Sequence, residues 1–110
     1  MAYDEQLAGR IRALVGGRDD LTEKKMFGGL AFLIAGNMAI AASGQGGILV
    51  RVDPEESAKL VAATPAEPME MRGRSMAGWL RVDTAEVAED AALREWVELG
   101  TAYAASLPPK

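Results

Sequence analysis

Lys24-Lys25-Met26-Phe27-Gly28-Gly29-Leu30-Ala31-Phe32-Leu33-Ile34 runs from two cations through a glycine pair into a strongly apolar stretch. Two adjacent glycines in a strand pattern are costly. Glycine packs nothing and loses more backbone entropy on folding than any other residue. Such a pair marks a backbone that bulges, bends or lets another group come close. We expect one strand over residues 25–34 with a bulge at Gly28-Gly29.

On the N-terminal side, residues 4–15 place Leu7, Ile11, Leu14 and Val15 at helical spacing, with Asp4 and Glu5 near the start. Gly16-Gly17 ends that helix. On the C-terminal side, Gly36-Asn37 reads as a two-residue hairpin turn into a strand over 38–42. Ser43-Gly44-Gln45-Gly46-Gly47 is a second turn, and residues 48–52 are a third strand. Asp53-Pro54-Glu55-Glu56 is a helix start: an N-cap acceptor, proline at the first helical position, then glutamate. That helix carries Leu60 and Val61 and stops before Thr64-Pro65. Met69 to Arg72 and Ala77 to Val82 form a last hairpin around Gly73-Arg74, and Asp83 to Glu86 cap a turn. A final helix covers about 90–106 with the stripe Leu93, Trp96, Val97, Tyr103, Ala104 and Leu107. The expected order is α-β-β-β-α-β-β-α in one domain spanning 1–110. That is an α+β chain with a mainly antiparallel, five-stranded sheet and helices on one face.

Strand side chains alternate between faces. Met38 and Ile40, Ile48, Val50 and Val52, and Leu80 and Val82 then share one apolar face for the helices to cover. Ala39, Ala41, Leu49, Arg51, Trp79 and Arg81 share the other. Two layers leave this mixed face open. Small residues, a tryptophan and two arginines suit a partner surface, so we expect these six to form one and the chain to pair as a homodimer.

Composition narrows the function. The chain of 110 residues is 49% hydrophobic, which suits one globular core. It has no cysteine, hence no disulfide or thiol chemistry. It has no histidine, which removes the commonest general base and metal ligand together. No segment has the run of about 20 apolar residues that a membrane helix needs, and the acidic start does not resemble a signal peptide. We expect a cytoplasmic, non-enzymatic protein with no cofactor and no metal. The net charge is −4, with six acids against two cations in residues 83–110. Such a chain repels phosphate backbones, so direct nucleic-acid binding is not the first expectation. Lys24, Lys25, Arg51, Arg72, Arg74 and Arg81 are the one set that would support a local basic patch, but Trp79 alone stands among them to stack on bases.

Other constellations are weaker. Gly44-Gln45-Gly46-Gly47 precedes a strand rather than a helix N-terminus, so it reads as a turn and not a phosphate cradle. Gly9 and Gly100 lie inside helices, where close helix–sheet packing accounts for them. Asp19, Asp20 and Glu23 read as a solvated loop, and nothing brings Glu67, Glu70 and Asp83 together for acid–base work. A pocket beneath the Gly28-Gly29 bulge is the remaining route to a small ligand.

Lys25-Met26-Phe27-Gly28-Gly29 followed by Phe32, Gly36 and Met38 resembles the signature of the TfoX/Sxy N-terminal domain family. Gly73, Met76, Gly78 and Trp79 extend the resemblance, as does Ala92-Leu93-Arg94-Glu95-Trp96-Val97, so that it spans roughly 5–107. It implies a two-layer α/β sandwich akin to secretion-chaperone folds. Founding members of the family are regulators of natural competence that act in transcription with a partner activator. They carry a second, helical C-terminal domain. We expect this chain to be a standalone domain without it, serving as a regulatory protein-interaction module. A transcription-linked nucleic-acid contact through the Arg/Lys set is the alternative, and a small-ligand-binding domain the second.

Overall fold

A computed structural model describes residues 4–16, 19–26, 28–44, 46–64, 66–71 and 74–109, with the side chains of 26, 69–71 and 74–77 left aside. The elements are α1 (Glu5–Val15), β1 (Leu21–Met26), β2 (Gly29–Ile34), β3 (Asn37–Ala42), β4 (Ile48–Arg51), α2 (Pro54–Ala63), β5 (Glu67–Met71), β6 (Arg74–Val82) and α3 (Asp90–Ser106). A 3₁₀ turn over Thr84–Val87 precedes α3. All strand pairs are antiparallel, in a sheet of order β1-β2-β3-β4-β6-β5. This is a two-layer α+β sandwich.

The helices start where side-chain acceptors meet the first backbone N–H groups. Asp4 Oδ1 accepts from the amides of Gln6 at 3.0 Å and Leu7 at 3.1 Å. Asp53 Oδ1 accepts from Glu55 N at 2.9 Å, with Pro54 as the first helical residue. Both caps satisfy donors that the helix itself leaves without partners.

Among the described residues the sheet has six strands rather than five. The stretch expected as one strand over 25–34 is a hairpin in which Met26 pairs with Gly29. Gly28 turns the chain at φ +76°, a conformation that costs an L side chain free energy. Gly29 is buried, and a Cβ there would run into the Ala42 carbonyl. The glycine pair therefore builds a turn and a close strand approach, not a bulge within one strand.

The next turn sits one residue earlier than expected, at Ala35-Gly36, with φ of 52° and 85°. Ile34 pairs with Asn37, which begins β3. Asn37 is 2% exposed, and its Nδ2 donates to the Pro108 carbonyl at 3.0 Å. A distant contact at the chain's C-terminal end thus takes this asparagine out of the turn.

The main core lies between the sheet and the helices. Leu7, Ile11 and Val15 of α1, with Leu93, Trp96 and Val97 of α3, pack on Leu30, Phe32, Ile40, Ile48, Val50, Leu80 and Val82. Leu60 and Val61 of α2 join the same cluster. All three helices therefore pack on one side.

Candidate interaction face

The strand side away from the helices carries a second apolar cluster. Ala31, Met38, Ala41 and Leu49 are its buried members, with half-buried Leu33 and Trp79 packed against them. Among the described residues every member belongs to β2, β3, β4 or β6, and no helix contributes.

One residue expected there lies elsewhere. The register between β2 and β3 shifts: Phe32 pairs with Ile40, but Leu33 pairs with Met38. Ala39 is the extra residue of a β-bulge, and the bulge breaks strict alternation. Ala39 points to the helix side, where it packs with Ile34 and with Ala104 of α3. Met38, expected under the helices, takes its place on the strand-only side. A one-residue slip turns side chains over, and sequence alternation contains no sign of it.

The middle of this face is buried. Ala31 is 0%, Ala41 6%, Met38 8% and Leu49 8% exposed. The expectation of a fully open face is thereby corrected. What remains accessible is the rim: Leu33, Arg51, Trp79 and Arg81 are half-buried, while Lys24 and Glu67 at the two edges are exposed. Register brings Ala41 opposite Leu49, Leu49 opposite Arg81, and Arg51 opposite Trp79.

Arg51 is held by rings. Its guanidinium carbon lies 5.4 Å from the Trp79 ring centroid and 5.8 Å from that of Tyr103 in α3. Stacking of this kind orients the planar group and leaves its N–H edge accessible. Among the described residues, no ion pair engages Arg51 or Arg81.

The other singled-out residues scatter. Lys25 pairs with Leu30 at the exposed end of β1. Gly36 lies in the second hairpin turn, and the Gly78 carbonyl accepts from Val52 N at 2.8 Å beside Trp79. Phe27, Gly73 and Arg72 lie outside the described residues, and so do the side chains of Met26, Arg74 and Met76. Of the basic set, Arg51 and Arg81 share the strand-only face, and register puts Lys24 at its edge opposite Ala31.

Elsewhere the chemistry is engaged structurally. A shallow depression of about 290 Å³ is lined by Asp4, Gln6, Leu7, Arg10, Thr84 and Ala88. Its polar groups already have work. Asp4 caps α1, and Thr84 Oγ1 accepts from Gly47 N at 2.8 Å. Arg10 donates to the carbonyls of Val87 and Ala88 and to Asp90. Glu23 is bound by Arg12 through two contacts of 2.7 and 2.8 Å. That hydrogen-bonded guanidinium holds the Glu23 carboxyl below its ordinary pKa. No group of three or more histidine, cysteine or acidic residues suited to a metal occurs among the described residues. No described helix is long and apolar enough to cross a membrane.

No curated protein and no solved structure matches the chain. A family model does: that of the TfoX N-terminal domain, over residues 13–104. That range takes in all six strands and most of α3, so the chain belongs to the TfoX N-terminal domain family.

Proposed function

We propose that this domain is a regulatory protein-interaction module without catalytic activity, and that it pairs through its strand-only face with a second copy of the chain. What carries the proposal is the accessible rim of Leu33, Arg51, Trp79 and Arg81 around the buried cluster of Ala31, Met38, Ala41 and Leu49, to which no described helix contributes. Apolar surface framed by charge is the usual anatomy of a contact region. Tryptophan and arginine concentrate binding energy, and here Trp79 stands directly beside Arg51. The regulatory part rests on the family, whose founding members work in transcription alongside a partner activator. Size-exclusion chromatography with light scattering on wild type and Trp79→Asp, beside a tagged pull-down, tests it. Pairing predicts a dimeric wild type and a folded, monomeric variant. Two monomers, with nothing recovered in the pull-down, defeat it.

One observation favours a second reading. Arg51 and Arg81 flank Trp79 on one face and form no ion pair among the described residues, with Glu67 across from Arg81, an arrangement whose Arg51–Trp79 side also suits a phosphate and a stacked base. It predicts salt-dependent binding to DNA or RNA. No shift at low salt removes it.

A further inference from the structure

Resting on the self-pairing proposed above, we infer its geometry: two copies meet sheet to sheet about a two-fold axis parallel to the strands, between β3 and β4. The strand registers join into one row across the whole strand-only face. It runs Lys24, Ala31, Ala41, Leu49, Arg81, Glu67, one residue from each strand in sheet order. The two edge residues carry opposite charge and are exposed, and no ion pair engages either among the described residues. Between them the row steps from small to large. Ala31 and Ala41 lie on one side of the midline, Leu49 and Arg81 on the other.

A two-fold along the strands turns this row end for end at the same level. Lys24 then faces Glu67 of the second copy, Ala31 faces Arg81, and Ala41 faces Leu49. Opposite charges meet at both exposed edges, and half-buried Arg81 lies over the buried position of Ala31. One level along the strands, the same operation sets Leu33 against Trp79 of the second copy. These are the two accessible apolar members of the cluster. Every contact occurs twice, because a two-fold interface is self-complementary. Sheets packed face to face keep their strands within about 30° of each other, which holds the central levels in step.

The other in-plane axis, across the strands at this row, lays each strand over its own copy. Lys24 would then face Lys24, Arg81 face Arg81, and Glu67 face Glu67. Like charges repel at every charged position of the row, so charge selects the axis along the strands.

Charge exchange at the edges tests this. Sedimentation equilibrium is run on wild type, Lys24→Glu, Glu67→Lys and the double variant, with circular dichroism to verify folding. Both sites are exposed on edge strands, so the fold tolerates them. Each single exchange is expected to weaken pairing about tenfold or more, because it replaces two attractions with two repulsions. The double exchange should recover to within about threefold of wild type. Single variants that pair as tightly as a dimeric wild type overturn the axis and leave self-pairing standing. A monomeric wild type overturns both. A second measurement uses the absence of native cysteine. In the variant carrying Lys24→Cys and Glu67→Cys, the two sites lie five strand spacings apart, about 24 Å, too far for an intrachain disulfide. Oxidation should therefore yield a covalent dimer. A dimeric protein that fails to cross-link overturns the axis.

Discussion

Gly100 of α3 lies directly over the Ala39 carbonyl: a Cβ at residue 100 would stand 2.5 Å from that oxygen and 3.2 Å from Val50 Cγ1. The bulged residue of β3 and the glycine of the helix are therefore one packing device. The bulge raises Ala39 toward the helix, and the missing side chain lets the helix settle on it. Gly100→Ala should destabilise by about 1–3 kcal/mol through overpacking, despite the helix propensity it gains. Gly9 is the control. A Cβ there meets nothing within 4 Å, so Gly9→Ala should stabilise by about 0.5–1 kcal/mol. Urea unfolding of both variants reads the opposite signs.

Arg10 ties α1 to the junction before α3. One of its nitrogens donates to Val87 O at 2.9 Å, Ala88 O at 3.1 Å and Asp90 Oδ1 at 2.9 Å. With 26% of its side chain exposed, it is largely withdrawn from water. Arg10→Met should cost about 1–2 kcal/mol by stranding those carbonyls while keeping the aliphatic packing. Its association state should match wild type, since the residue lies on the helix side.

The Arg12–Glu23 pair gives a pH signature. Its hydrogen bonds favour the ionised carboxylate, so the folded pKa lies below the unfolded one. Stability from this pair is fully present above the ordinary carboxylate pKa and is lost as pH falls through the lowered value. The pair is solvent-exposed, so its worth is below about 1 kcal/mol. Glu23→Gln should lose that increment at neutral pH and show a shallower decline on acidification. Unfolding midpoints across the acid range measure both.

Asn37 should be intolerant of truncation. It is buried, and its contact with Pro108 O anchors the chain after α3. Asn37→Ala should cost about 1–3 kcal/mol. Amide exchange should speed up at Ser106 and Leu107, which a purely local effect on β3 would not produce.

What the sequence made legible was local. Asp53 caps its helix as its short-range pattern suggested, and Asp4, expected only as an acidic residue within the first turn, caps α1 one residue before it. Ile48, Val50, Leu80 and Val82 sit under the helices because alternation holds through β4 and β6. What sequence hid was set by distant contacts. Whether Gly28-Gly29 bends a strand or splits it depends on Met26 pairing with Gly29. Whether Asn37 turns or starts a strand depends on Pro108. Whether Met38 or Ala39 faces the helices depends on a bulge that Gly100 accommodates. Alternation in a single strand records none of these, so it placed Ala41, Leu49 and Trp79 on the strand-only side, where they lie, and put Ala39 there although it packs against α3. The tuck of Arg51 between Trp79 and Tyr103 joins strands to a helix more than fifty residues along the chain, and no spacing rule reaches that far.

Sedimentation equilibrium over a range of concentrations tests the pairing most directly, on wild type, Trp79→Asp and Glu95→Lys, the last an exposed control on α3. Self-association through the strand-only face predicts the mass of two chains for wild type and Glu95→Lys and of one chain for a folded Trp79→Asp. A wild type with the mass of one chain throughout, or a Trp79→Asp that pairs as tightly as the control, contradicts it.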